Sequence, residues 1–200
     1  MAEAPHETLR TTLRDGSHVL IRPVGPQDKP LLREGFTRLS EESRYRRFMR
    51  PVKELSEADL DYLTRIDYTT HMAWVAVDPA SPEHPGLGVA RYIQLASHPN
   101  VAEVAITVVD SHQGLGLGTI LLGVITRSAV QQGIEAFVAH VLVQNAPMLK
   151  LFTELGATVV LEDAGVLAVR MPLPRRAEDL PDSPAGKVFR EVARGLARDA

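Results

Sequence analysis

The apolar positions of this chain change their period several times, and each change marks an element. In HVLIRPV (18–24) they cluster as a strand, closed by Pro23 and the turn residues Gly25 and Pro26. Leu31, Leu32, Phe36 and Leu39 follow at roughly helical spacing, with Asp28 placed to cap the helix and a break near Ser40 before SRYRRF resumes it. A second helix is predicted from Ser56 to about Asp67: Asp59 completes a capping box, and Leu55 and Leu60 form a hydrophobic staple.

Three β-rich runs come next: AWVAV (73–77), GVARYIQL (88–95) and AEVAITVV (102–109). A Pro/Gly-rich turn at 79–88 and another around Pro99 and Asn100 separate them, which predicts an antiparallel meander. From Gly118 the period becomes helical, with Ile120, Leu121, Val124, Ile125 and Ala129 on one stripe and Gly133 at the C-terminal end. FVAHVLV (137–143) is another buried strand, so strand, helix and strand form a βαβ unit whose strands run parallel. Asn145 is placed to cap a further helix through Phe152 and Leu155, with Pro147 in its first turn. ATVVLE and VLAVRM, joined by Asp163, Ala164 and Gly165, form a closing hairpin.

This order predicts an α/β (α+β) architecture with a mixed central sheet. Residues 1–16 read as a flexible segment, 17–172 as the folded domain, and 173–200 as a Pro-rich, charged linker with a short C-terminal helix. Val188, Phe189, Val192 and Leu196 give that helix an apolar stripe, for loose docking or for a homodimer or partner contact.

Composition narrows the classes. With 200 residues and 44% hydrophobic content, the chain can bury one core of ordinary size. A net charge of -3 argues against a dedicated nucleic-acid binder, which needs cations for many phosphates. The basic cluster Arg44, Arg46, Arg47 and Arg50 is a local exception. Absence of cysteine removes disulfides, thiolate catalysis and thiolate-bound zinc, and the histidines show no metal-ligand spacing, so no metal is expected. MAEAPHETLRTTLRDG has no signal-like apolar run and no window reaches a membrane span, which fits a cytoplasmic protein.

The candidate chemistry lies in VVDSHQGLGLGTILL (108–122), where Gly114, Gly116 and Gly118 sit between a strand and a helix. Glycines there let the backbone approach an anion at a helix N-terminus. A nucleotide P-loop is excluded because Thr119 follows Gly118 with no lysine. A dinucleotide fingerprint is weakened because the next strand ends at Gln144 and Asn145 and not at an acid. What remains is Q-x-x-G-x-G, at Gln113, Gly116 and Gly118.

That motif, together with the order of elements over residues 17–172, resembles the GNAT family of N-acetyltransferases. Within it, AEVAITVVDSHQGLGLGTILL and GIEAFVAHVLVQNAPMLKLFTELGA look like the acetyltransferase domain of actinobacterial protein lysine acetyltransferases. The resemblance implies that the central parallel strands splay and that pantetheine enters between them. Ile106, Thr107 and Val108 would meet pantetheine and the thioester of acetyl-CoA. Backbone N–H groups of Gly114, Leu115, Gly116, Leu117, Gly118 and Thr119 would hold the pyrophosphate, and Asn145 would contact pantetheine or simply cap its helix.

The implied reaction is attack by an amine, a protein lysine being the favoured acceptor, on the acetyl group. A lysine amine with an ordinary pKa of about 10.4 needs a base to be reactive at neutral pH. The resemblance places that base at Glu103, which shares a strand face with Ala105 and Thr107. The tyrosine that many such enzymes use to protonate the leaving thiolate is replaced here by Phe152, which cannot donate a proton. His71 is a candidate for the acceptor side, and SRYRRFMR is a solvated basic face that could attract an acidic substrate or the CoA phosphates. Two other uses stay open: a small-molecule amine acetyltransferase, and an acyl-CoA-binding module without catalysis.

Overall fold

A computed structural model describes residues 8–163, 165–174 and 176–195. Its strands are β1 (Leu9–Thr12), β2 (His18–Pro23), β3 (His71–Val77), β4 (Gly86–Leu95), β5 (His98–Val108), β6 (Ala136–Leu142), β7 (Thr158–Asp163) and β8 (Val166–Pro172). Its helices are α1 (Lys29–Thr37), α2 (Glu41–Phe48), α3 (Glu57–Thr64), α4 (Leu117–Gln131), α5 (Ala146–Glu154) and α6 (Pro184–Gly195). All eight strands form one mixed sheet in the order β1-β2-β3-β4-β5-β6-β8-β7. Every pair is antiparallel except β5 with β6, which is parallel as the βαβ reading required.

Strand alternation sorts the side chains into two layers. Trp74, Ala76, Ala90, Tyr92 and Val104 face α4, and the Trp74 indole donates to Ser128 Oγ at 2.9 Å. Residues of opposite parity, including Val75 and Val89, face α1–α3. Helix α4 is buried on nearly every side because the sheet covers one flank and α6 another. It ends as a left-handed glycine cap: Gly133 has φ +77, its N–H bonds Val130 O at 3.0 Å, and Ile134 N–H bonds Ala129 O at 3.0 Å.

Several expectations change. The segment read as flexible contributes β1, because Leu9 and Leu13 are only 6% and 4% exposed and the strand pairs with β2. The tail read as poorly packing carries Leu173, Leu180, Ala185, Phe189 and Val192 into the core. Gly123 makes this fit: a Cβ there would meet Phe189 and Val192 at 3.4 Å, so the missing side chain seats α6 closely against α4. Leu196 and the turn residue Ala164 lie outside the described residues.

Asp28 precedes α1 but does not cap it. Its carboxylate instead accepts two bonds from Arg22, at 2.7 and 2.8 Å, and one from Gly25 N–H at 2.8 Å, since a charge-assisted bidentate pair outcompetes a cap. Helix α3 has its capping box but stops at Thr64, and Asp67 goes into a turn that accepts from Thr69 N–H and His71 N–H. The β4–β5 hairpin turns at Ala96 and Ser97, and a register shift beside Leu95 takes up Pro99 and Asn100.

Candidate active site

β5 and β6 pair at only three positions: Val101 with Ala136, Ala102 with Phe137, and Glu103 with Val138. Beyond Glu103 they separate, while β5 stays paired with β4 to Val108 and β6 with β8 to Leu142. Each strand keeps its outer ladder, and the inner edge of β5 beyond Glu103 has no strand partner, leaving backbone groups that need partners, of which Gln113 satisfies Val108 O. The opening is a groove of about 520 Å³. Ile106, Thr107, Val108, Gln113, Gly114, Gly116, Gly118, Thr119 and Asn145 all line it, so most of the residues predicted from the motif meet in one place.

The glycine loop closes one end of this groove. Gly114 and Gly116 have φ of +76 and +95, which an L side chain resists, whereas Gly118 is already helical. Among the described residues, no acceptor bonds the N–H groups of Gly114, Leu115, Gly116, Leu117 or Gly118. The run ends one residue earlier than the motif implied, because Thr119 N–H bonds Gly116 O at 3.1 Å. Five consecutive free donors at the N-terminus of a 15-residue helix make an anion-binding nest. The side chains of Leu115 and Leu117 point elsewhere: Leu117 is fully buried, and Leu115 packs against the core while its carbonyl accepts from Arg14 N–H at 3.1 Å.

Gln113 anchors the loop. Its amide donates to Val108 O at 3.0 Å and to Ser43 Oγ at 3.2 Å. Ser43 Oγ donates to Asp110, which also accepts from Ser40 Oγ and Ser40 N–H. These bonds tie α2 to the loop, and with it Arg46 and Arg47, which line the groove. Asn145 holds the N-terminal position of α5, but its side chain makes no cap and is left to face the groove.

The motif did not supply Arg14, Lys150 and the α6 residues Pro184, Ala185 and Val188, which also line the groove. Arg14 escaped because its segment reads as polar and unstructured, and α6 because its approach depends on Gly123. Arg46 and Arg47 did carry a signal, the SRYRRF cluster. Of its other members, Arg44 lies over the Phe36 ring at 4.6 Å and donates to two backbone carbonyls. Phe152 is 2% exposed, a core aromatic with no groove contact.

Glu103 is exposed and lies where β5 and β6 part, facing the α1–α3 side with Ala105 and Thr107. Four positions separate it from Thr107, roughly 13 Å along a strand. Burial lowers the pKa of Arg47 from its ordinary value, and the Glu103 carboxylate opposes that shift, so the two charges sense each other. His71 does not line the groove. It sits 5.3 Å from the Tyr62 ring, and its Nε2 is 3.0 Å from Arg91 Nη1. A guanidinium only donates, so Nε2 accepts. Burial, then the charge of Arg91, pulls His71 down to about 4, and the ring is neutral at pH 7.

An acyl-CoA makes three demands, and the groove offers groups suited to each: an unpartnered strand edge for pantetheine amides, a run of free N–H groups for a pyrophosphate, and the cations Arg14, Arg46 and Lys150 for further phosphate charge, of which Arg46 is paired with Glu42 and Lys150 with the groove-lining Glu154. Among the described residues, no group of three or more His, Cys, Asp or Glu side chains is placed to hold a metal ion, and no helix is long and apolar enough to cross a membrane.

Comparison with known proteins agrees with this geometry. The acetyltransferase (GNAT) family model matches residues 39–157. Acetyltransferase Pat of Mycolicibacterium smegmatis is 37% identical over 162 residues, 81% of this chain, although the chain spans only about half of that relative (48%). An acetyltransferase of Pseudomonas aeruginosa is 36% identical over 72% of this chain and 77% of its own. The crystal structure of the GNAT domain of S. lividans PAT superposes with a TM-score of 0.78 at 30% identity, covering 86% of this chain and all of that one. With the splayed strands, the Q-x-x-G-x-G loop and the matched family model together, the chain belongs to the GNAT family of acetyltransferases.

Proposed function

We propose that this protein transfers the acetyl group of acetyl-CoA to a primary amine, with a protein lysine as the favoured acceptor. The observation that carries the reading is the groove opened where β5 leaves β6, closed at one end by five free N–H groups. Acetyl-CoA supplies an acyl group activated as a thioester.

The N–H groups of Gly114 to Gly118 hold the pyrophosphate, and the strand-free edge of β5 near Ile106, Thr107 and Val108 bonds the pantetheine amides. Asn145 adds a polar contact from α5, and Met148, Leu151 and Val188 give the arm apolar walls. Glu103 takes the proton from the incoming amine. Its distance along β5 from Thr107 calls for transfer through water, a path open to general bases. With Phe152 buried and lacking a hydroxyl, the departing thiolate takes its proton from solvent, which is adequate for a thiol of ordinary pKa near 8.5. The resemblance of AEVAITVVDSHQGLGLGTILL and GIEAFVAHVLVQNAPMLKLFTELGA to the domain of protein lysine acetyltransferases supports a protein acceptor.

Calorimetric titration with acetyl-CoA, followed by incubation with acetyl-CoA and cell lysate and mass spectrometric location of acetyl groups, tests the reading. No acetyl-CoA binding would end it. Glu103→Gln should lower turnover by about 10²–10⁴-fold while acetyl-CoA affinity stays within a factor of two. A second reading, an acyl-CoA-binding module without catalysis, draws on the missing hydroxyl at Phe152. Binding without turnover of any amine, unchanged in Glu103→Gln, would favour it.

A further inference from the structure

A second, smaller cavity of about 80 Å³ lies beneath α1–α3, and Arg47 and Arg91 both line it. Arg47 and Thr107 also line the acyl-CoA groove, so the two spaces are neighbours across these residues at the end proposed for the thioester. On the sheet surface Arg91 stands opposite Ala105, between the levels of Glu103 and Thr107.

Arg91 is 5% exposed. Its bonds go to a neutral ring nitrogen of His71 and to Leu63 O at 3.2 Å, and no carboxylate among the described residues pairs with it. The Arg47 guanidinium finds no hydrogen-bond acceptor among the described residues and rests 5.0 Å from the Phe48 ring centroid. By contrast, the sheltered Arg22 is matched by Asp28. Arg91, a guanidinium that stays protonated at neutral pH, is buried beside Arg47 at an otherwise apolar pocket without a carboxylate partner among the described residues, and the carboxylate that Arg47 senses, Glu103, is exposed and hydrogen-bonds neither guanidinium. The volume admits a carboxylate-sized group and no cofactor.

We propose that Arg47 and Arg91 form an acceptor subsite for a carboxylate carried by the amine substrate, so that the enzyme selects amines bearing a nearby carboxylate. A planar guanidinium matches a carboxylate in a bidentate pair, and the apolar walls suit the carbon skeleton next to it. The proposal rests on the amine-acetylation reading for its role, but the anion site itself can be tested without turnover.

The binding test uses CoA-loaded protein and follows thermal denaturation during titration with isobutyrate, and separately with the isosteric isobutyramide. Isobutyrate should raise the midpoint and isobutyramide should not, and Arg91→Met and Arg47→Gln should each abolish the rise. Arg47 lies on a partly exposed helix, so the second variant remains informative if the first misfolds. Equal effects of acid and amide, or a rise that survives in a folded variant, overturn the subsite whatever the enzyme acetylates.

The kinetic test compares leucine with leucinamide, and lysine peptides flanked by glutamate with those flanked by glutamine. At least a tenfold preference in kcat/KM for the carboxylate member, lost in both variants, supports the proposal. Preference only in the amino-acid pair assigns the carboxylate to a small molecule, and preference only in the peptide pair assigns it to a protein acceptor. No preference in either pair, with turnover present, overturns it. Absence of turnover with isobutyrate still bound would remove the acetylation reading and leave the anion site standing.

Discussion

Alanine at Gly114 and, separately, at Gly118 tests the anion nest, because the two substitutions push stability in opposite directions and acetyl-CoA affinity in the same one. Gly114 has φ +76, and a Cβ built there meets nothing within 4 Å. Its cost to the free protein is therefore backbone strain alone, about 1–2 kcal/mol for an L-residue in the left-handed region. For a chain of this size that lowers Tm by roughly 3–6 °C. Gly118 is helical, and a Cβ there only touches Val108 Cγ2 at 3.9 Å, an ordinary contact. Alanine is a better helix former than glycine by up to about 1 kcal/mol, so Gly118→Ala should match or exceed the wild-type Tm. Both methyl groups narrow the space in front of the free N–H groups. Loss of one charge-assisted hydrogen bond is worth about 1.5–3 kcal/mol, so acetyl-CoA should bind at least about tenfold more weakly in each variant. Differential scanning calorimetry gives the first quantity and titration calorimetry the second. A Gly118→Ala protein with wild-type acetyl-CoA affinity would refute the placement of the pyrophosphate.

Other outcomes follow from the packing and the charges. Asp28→Asn removes the buried partner of Arg22 and should cost about 2–3 kcal/mol, read as a lower urea midpoint at constant slope; a change below about 0.5 kcal/mol would mean the pair is replaceable. His71 has its folded pKa pulled down to about 4 against about 6.5 unfolded, so the unfolded chain binds more protons between those values. Stability is therefore full above about pH 6.5 and declines as pH falls toward 4, by about 1–2 kcal/mol once solvent screening is allowed for. His71→Gln should flatten that slope, and an unaltered profile would assign the acid sensitivity elsewhere. Phe189→Ala should cost about 3 kcal/mol and free the amides of 184–195 for hydrogen exchange. Because Ala185 and Val188 line the groove, acetyl-CoA affinity should fall with it, and undiminished affinity alongside fast exchange would separate α6 from the site.

The local chain settled whatever depends on neighbours within a few residues. Alternation in HVLIRPV and AEVAITVV, the capping box of Ser56 and Asp59, and Gly133 at a helix end are short-range stereochemistry, and each appears in the structure. The glycines of 114–118 announced an anion loop for the same reason: positive φ and close backbone approach are properties of the residue itself. Tertiary structure decided the rest. The alternative partner taken by Asp28, the burial of Leu9 and Leu13, and the seating of α6 on Gly123 each depend on an atom brought from another element. So does the meeting of Arg47 and Arg91, 44 positions apart in sequence, at one small cavity. A single side chain reveals its own preferences in the sequence, but whether a buried charge finds a partner is a property of the assembled fold, since electrostatic energy depends on distance in space and on the water that packing removes.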